Sequence, residues 1–274
     1  MRQEKKTGFA GQAALRRKRR ASSITIKSER EIAAMCEAGK IAARARQLAG
    51  EIIRPGITTG QVEQELHKFL TKSKAVPSFL DYEGFPASVC ISVNEQLIHG
   101  IPSGRVLQPE DIVSVDVGAF FGGFHGDCAD TFIVGDAPQE TKALVAATRD
   151  SFYAGLALCK EGYRLSDVSH AIGSFAENLG FGVVKEYVGH GIGRRLHEAP
   201  EVPNYGDPGR GVRLQAGMTL AIEPMLTVGG IDLVTMDDGW TVVTADGSLS
   251  AHFENTILIT KGEPEILTAV GGVG

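Results

Sequence analysis

No apolar run in this 274-residue chain approaches the roughly 20 residues that a membrane helix needs, so no spanning segment is expected. The N-terminus has no apolar core of the kind that marks a secretory signal, and export is not expected either. Cysteine is scarce: Cys36, Cys90, Cys128 and Cys159 form no CxxC pair and no disulfide framework. Reduced thiols in a cytoplasmic protein are the simpler reading. A GxSxG elbow is missing and no cysteine sits in a nucleophile setting, which counts against serine and cysteine hydrolases. The glycine-rich stretch GAFFGGFHG (118–126) has neither GxGxxG spacing nor a Lys-Ser/Thr ending, so phosphate cradling has no support.

What is present is an ordinary globular balance, 43% hydrophobic and 22% charged, in a length that fits one large α/β or α+β domain. The net charge of −5 conceals an asymmetry. Residues 1–20 carry eight Lys/Arg against one acid, +7 in all, which leaves −12 on the rest. Phe9 is their one aromatic residue, and stacking on bases needs more, so a solvated leader is the favoured reading. Contact with RNA, such as ribosomal RNA, is the alternative. The expected organisation is a basic tail over 1–23, a catalytic unit over 24–262 and a C-terminal tail over 263–274. The unit divides into halves at about 28–135 and 138–262.

Ser28 and Glu31 make a capping box, and Ile32, Met35, Cys36 and Ala43 follow at helical spacing, which predicts a helix to about Ile52. Gly39 lies on the same face and marks a close packing contact. A second helix is expected from Thr58 or Thr59, a third from Pro138 to near Gly162, and a fourth from about Ser166 to Leu179. VCISV reads as a strand, as do the alternating runs around Asp116 and after Asp127. The pattern then repeats. Gly56, Val62, Leu66 and Phe69 recur 106 residues later as Gly162, Val168, Ile172 and Phe175. Leu107-Gln108 and Asp116 recur 107 residues later as Leu214-Gln215 and Glu223. His99-Gly100-Ile101 also matches His190-Gly191-Ile192, at another offset. A duplication about a pseudo-two-fold axis would set Asp116 and Glu223 on opposite sides of one cleft.

Asp116, Asp127, His190, Glu223 and Glu254 stand in or beside these strand-like runs. A carboxylate there is costly to bury without a partner. Four carboxylates and one imidazole balance two divalent cations, and hard oxygen donors suit Mn, Fe or Co without excluding Zn. Two such ions clamp a hydrolytic transition state, and Glu223 is the candidate proton carrier. Each acid alone would more often be a salt-bridged or capping carboxylate. His99 and His197, in turn-like segments beside the set, read as substrate-contacting groups able to donate to a tetrahedral intermediate. Of the other histidines, His67 and His170 read as solvated helix residues. His125 reads as a turn or second-layer residue, and His252 as one that points either to the cleft or away.

Five segments in order, CISVNEQLIHGIP, SVDVGAFFGGFHGD, YVGHGIGRRLHEAPEVPNY, AIEPM and LSAHFENT, resemble the type I methionine aminopeptidases. The similarity covers about 24–262. It implies an α/β (α+β) pita-bread fold with an internal pseudo-two-fold duplication, helices outside and a central dinuclear metal cleft. It implies Asp116, Asp127, His190, Glu223 and Glu254 as ligands of two divalent ions (Co, Mn, Fe, Zn or Ni), with Asp127 and Glu254 bridging. His99 and His197 match its substrate-contacting histidines, and Tyr82, Phe85, Cys90 and Trp240 its methionine pocket, whose detail varies at Phe79 and Phe85. Cys128 stands where a threonine is common. The implied activity is hydrolytic removal of the initiator methionine from nascent polypeptide N-termini with a small second residue, by a cytoplasmic monomer. An Xaa-Pro peptidase of the same fold usually has a substantial domain before the catalytic unit, and only about 25 residues precede the first helix here. A non-catalytic ribosome-binding relative would have no use for all five ligands.

Overall fold

A computed structural model describes residues 24–270; the basic segment 1–23 lies outside the described residues. The first part of the chain runs α1 (Glu29–Ile52), α2 (Thr59–Lys72), β1 (Val76–Pro77), β2 (Cys90–Val93), β3 (Gln96–Ile98), β4 (Ile112–Phe121) and β5 (Phe124–Ile133). The second opens on α3 (Gln139–Leu156), α4 (Leu165–Asn178), β6 (Gly182–Val183), β7 (Gly189–Gly191) and β8 (Glu198–Val202). It continues through β9 (Thr219–Ile222), β10 (Met225–Thr227), β11 (Leu233–Thr235), β12 (Val242–Thr244), β13 (Ser250–His252), β14 (Glu254–Leu258) and β15 (Glu265–Ile266). Among the described residues, no helix is long and apolar enough to cross a membrane.

The helix starts follow their caps. Ser28 and Glu31 close a capping box on α1, and Thr58 and Gln61 close one on α2, each satisfying N–H groups that the first turn leaves open. The third helix stops at Leu156, short of Gly162. From there the chain bonds across to its neighbours instead: the Glu161 N–H to the Thr260 carbonyl at 3.1 Å and the Leu214 N–H to the Tyr163 carbonyl at 2.8 Å. At its other end the fold extends past residue 262. Strand β15 pairs with β14, and Leu267 and Thr268 are buried.

The main sheet has the order β1-β4-β5-β14-β9-β7-β8, with β2 also paired to β4. Its two sides mirror each other: β4–β5 corresponds to β9–β14, and β2 beside β4 corresponds to β7 beside β9. Asp116 on β4 and Glu223 at the end of β9 occupy equivalent places, as their 107-residue offset predicts. The His99/His190 match is not part of this symmetry. His190 pairs with Ala221, whose counterpart Ser114 pairs with Ser92. The first-half equivalent of His190 is therefore Ser92, and His99 lies on the turn after β3.

Helix α1 packs directly beneath β4 and β5 through a face of small residues, Ala38, Gly39, Ala42, Ala45 and Ala49. Gly39 is the close contact its position predicts. A Cβ on Gly126 of β5 would lie 2.5 Å from the Gly39 nitrogen, and one on Gly39 would lie 2.3 Å from the Leu267 carbonyl oxygen, so neither residue has room for a side chain. Val113, Val115 and Val117 fill the layer between sheet and helices with Val62, Leu66 and Leu70 of α2. Burying each such side chain stabilises the fold by about 1.5–3 kcal/mol. An equivalent cluster around Val168, Ile172, Leu220 and Ile222 lies under the second half.

The seam between halves is short. Strands β4 and β5 pair over ten residues, whereas β5 and β14 exchange two pairs, Glu254↔Ala129 and Asn255↔Cys128. Threonine hydroxyls continue the ladder at both ends. Thr256 Oγ1 accepts from the Asp127 N–H at 3.0 Å and donates to the Asp127 carbonyl at 2.9 Å. Thr131 Oγ1 does the same for His252, at 3.0 and 2.8 Å. From below, the Arg46 guanidinium of α1 donates to the Glu254 carbonyl and to Asn255 Oδ1, both at 2.9 Å, and to the Thr268 carbonyl at 3.2 Å.

Candidate metal centre

Side chains alternate across a strand, and cross-strand partners share a face. Register therefore puts Asp116, Asp127, Glu254 and His190 on one side of the sheet, and Glu223, directly after β9, joins them at the cavity. Asp116 and Glu254 both pair with Ala129, Asp127 lies two residues from it on β5, and His190 pairs with Ala221, two before Glu223. The valines and leucines between them point the other way, into the helix layers. Cys128 goes with those: it pairs with Val117, is fully buried in the apolar cluster, and leaves the polar face untouched. All five polar residues line one cavity of about 200 Å³.

Ligand atoms of Asp127, His190 and Glu254 lie within 4.8 Å of one another. Asp127 Oδ1, Glu254 Oε1 and Asp116 Oδ1 are buried with no hydrogen-bond partner. Orphaned buried oxygens of this kind are rare, because each costs the hydration it has lost. Burial, then mutual repulsion, holds the Asp116, Glu223 and Glu254 carboxyls well above their ordinary range, and burial brings Asp127 to about 7. Burial moves the His190 imidazole the other way, to about 3, so the ring is neutral. Its Nδ1 donates to the Gly191 carbonyl at 2.9 Å, which leaves the Nε2 lone pair facing the cluster, 3.6 Å from Glu223 Oε1. A neutral imidazole with its tautomer fixed from behind is a metal ligand in waiting. Four acids that resist ionisation together become ionised ligands once divalent charge lies between them, so the donor set fits such ions.

His99 and His197 flank the cavity from different directions. His99 has φ of +57°, a left-handed conformation that costs an ordinary residue about 1–3 kcal/mol. The next residue explains how it is held: the Gly100 N–H donates to Ser92 Oγ at 3.0 Å, and a Cβ on Gly100 would lie 2.3 Å from the Ile91 carbonyl oxygen. Burial, then His197, lowers the His99 pKa to about 4. His197 is exposed, with its ring 4.2 Å from that of His190 and its Nδ1 bonded to the Tyr82 hydroxyl at 2.7 Å.

Beside the acids is an aromatic recess. Phe85 and Trp240 meet edge to face at 5.2 Å, and the His99 ring stands at 6.5 Å from Trp240. Cys90 closes the recess next to Asp116, its cross-strand partner, and Tyr82 covers its mouth. Trp240 is placed by Asp238, whose carboxylate accepts the Trp240 and Thr241 N–H groups, both at 2.8 Å. Ile98, Tyr187 and Leu196 also line the cavity and escaped the sequence reading. Each adjoins a segment already singled out, since Ile98 and Leu196 directly precede His99 and His197.

The remaining histidines are placed as follows. His252 is buried and turns to the cleft, its Nε2 3.7 Å from Glu223 Oε2. His125 belongs to β5 rather than to the turn before it, and its Nδ1 is 2.9 Å from Ser78 Oγ. His170 is exposed. His67 is half-buried rather than solvated, because α2 packs it against Ser88, with Nδ1 2.6 Å from the hydroxyl oxygen.

Residues 33–261 match the model of metallopeptidase family M24. The methionine aminopeptidase of Clostridium perfringens is 51% identical over 90% of this chain and 99% of its own length. Methionine aminopeptidase 1 of Bacillus subtilis is 49% identical over 90% of this chain and all of its own. The crystal structure of the Thermotoga maritima methionine aminopeptidase superposes with a TM-score of 0.89 at 48% identity, covering 90% of this chain and 99% of that one. The chain belongs to metallopeptidase family M24 and, within it, to the methionine aminopeptidases.

Proposed function

We propose that this chain hydrolyses the first peptide bond of polypeptides that begin with methionine, on a pair of divalent ions held by Asp116, Asp127, His190, Glu223 and Glu254. Asp127 and Glu254, from the two strands that meet at the seam, would hold such ions between the two halves. The observation that carries this reading is the juxtaposition of a buried five-residue donor set with an aromatic and thiol-lined recess. Bound divalent ions supply Lewis-acid activation of water and of the scissile carbonyl.

The chain's own residues do the rest. Phe85, Trp240, Tyr82 and Cys90 take the flexible thioether side chain, for which polarizable and aromatic walls are well suited. That burial fixes the first residue and sets its carbonyl beside the acids. Glu223 takes the proton from the attacking water and delivers it to the leaving amine. His99 and His197 donate to the oxygen and nitrogen of the scissile amide as charge develops there. A small second residue is preferred because His197 and Tyr82 meet over the mouth of the cavity. The enzyme acts on nascent chains as a cytoplasmic monomer.

The experiment is hydrolysis of Met-Ala-Ser beside Ala-Pro-Ser by protein stripped of metal and reloaded with Mn or Co. Release of methionine from the first peptide alone is expected. Cleavage of the second would move the chain to the Xaa-Pro peptidases, and cleavage of neither would refute the catalytic reading.

A further inference from the structure

Outside the cavity, a buried ion pair ties the start of the described chain to the turn that carries His197. We infer that Lys27 is a positioning residue: by fixing Glu198 it fixes the preceding His197 at the mouth of the metal cavity. The inference rests on the reading of His197 as a substrate-contacting group.

His197 is exposed at the edge of the turn between β7 and β8, where its Nδ1 bonds the Tyr82 hydroxyl and its ring meets that of His190. The backbone that carries it is held one residue further on. Glu198 and Lys27 have side chains only 6% and 5% exposed, and Lys27 Nζ donates to Glu198 Oε2 at 2.9 Å. Thr25 Oγ1 donates to the same oxygen at 2.8 Å and also bonds Lys27 Nζ. The other oxygen, Glu198 Oε1, accepts the Arg195 N–H at 3.2 Å, which closes the turn on itself. Burial alone would raise the Glu198 carboxyl, but Lys27, Thr25 and the Arg195 N–H outweigh it and hold the group ionised. Gly193 lets the pair approach: a Cβ there would meet Lys27 Nζ and Glu198 Oε1, both at 2.8 Å.

The anchor is itself anchored. The Lys27 N–H donates to the Gly217 carbonyl at 2.7 Å, and the Gly217 N–H to the Ile259 carbonyl at 2.9 Å, just beyond β14. The far side of the turn is held to the first half, where the His125 N–H donates to the Gly193 carbonyl at 2.8 Å. A buried ion pair is a poor source of net stability, since desolvation offsets its attraction and apolar side chains would fill the space as well. What apolar side chains would not do is fix three donors on one carboxylate beside His197.

A double-mutant cycle on the metal-loaded enzyme tests this, with kcat and KM for Met-Ala-Ser measured for wild type, Lys27→Met, His197→Ala and the double variant. Lys27→Met is expected to lower kcat between about tenfold and a hundredfold, as displacement of a transition-state donor does. KM should stay within about twofold, and metal content should not change. On the His197→Ala background the same substitution should cost nothing more, because both act through one imidazole. A loss that multiplies with that of His197→Ala, or no loss in Lys27→Met, overturns the inference. Wild-type kcat in His197→Ala overturns both the inference and the reading beneath it. Should Lys27→Met fail to fold, Glu198→Gln replaces it in the same cycle. It keeps the side chain's shape and loses the ion pair.

Discussion

In the first half, one continuous hairpin of two ten-residue strands carries Asp116 and Asp127, eleven residues apart. In the second, Glu223 and Glu254 are thirty-one residues apart, one directly after β9 and one on β14, strands that pair over only four residues. The residues between them form β10 to β13, and these bring Trp240 to the cavity and His252 against Glu223. The two halves thus supply matching carboxylates by unequal means. The hairpin is a rigid floor, locked to α1 by the Gly39–Gly126 contact. The interrupted half gives up length of pairing and gains the wall that recognises a side chain. A duplicated scaffold keeps its ligands at equivalent points of the sheet, and its specificity is built where symmetry is broken.

The comparison can be broken at the ligands first. Asp116→Asn and Glu223→Gln, at equivalent positions, should each abolish peptide turnover while circular dichroism shows a folded chain. Full activity in either, with metal loaded, would refute the assignment, and loss in just one would refute the equivalence of the halves. The seam comes next. Arg46→Met takes the Arg46 donor from the Glu254 and Thr268 carbonyls and one of two donors from Asn255 Oδ1, and should cost on the order of 3 kcal/mol in urea unfolding. It should also weaken metal binding, since the seam sets the spacing of Asp127 and Glu254.

On the asymmetric side, Trp240→Ala should raise KM for Met-Ala-Ser by about tenfold, roughly 1.4 kcal/mol of lost contact, and change kcat less. An equal fall in kcat with unchanged KM would show that Trp240 does not hold the side chain. A further effect is one of pH. In metal-stripped protein, Asp127 has a pKa of about 7 against an ordinary 3.8, so between those values the folded state binds more protons than the unfolded one. Asp127's own contribution to stability should therefore fall as pH rises from about 4 to 7, while the neutral His190 and His99 contribute in the opposite sense. Metal should restore it most at the upper end, where the carboxylates are ionised. Melting temperatures of wild type and Asp127→Asn at pH 5 and 8, with and without metal, check this.

Much of this architecture was legible in the residues. Caps mark where α1 and α2 begin, and the recurrence of Leu-Gln and a carboxylate after 107 residues foreshadows the mirrored sheet. Alternation around Asp116 indicates which neighbours turn away from it. The His99/His190 match misled because three residues of similar type recur without equivalent pairing, and pairing was not visible in the sequence. The end of α3 was missed because bonds to Thr260 and Leu214, far along the chain, compete with the helix there. His67 looked solvated on helical periodicity, yet a loop twenty-one residues later covers it. Arg46 and Thr256 gave no signal, since a charged residue on a helix and a threonine in a strand are ordinary until the seam between halves is seen.

The most direct test of the account is the number of ions the two halves hold together. Equilibrium dialysis of stripped protein against Co(II), read as bound metal per chain at saturation, gives that number. The account predicts two per chain in the wild type, both removed by EDTA, and fewer in Glu223→Gln. Saturation at one ion in the wild type would contradict it.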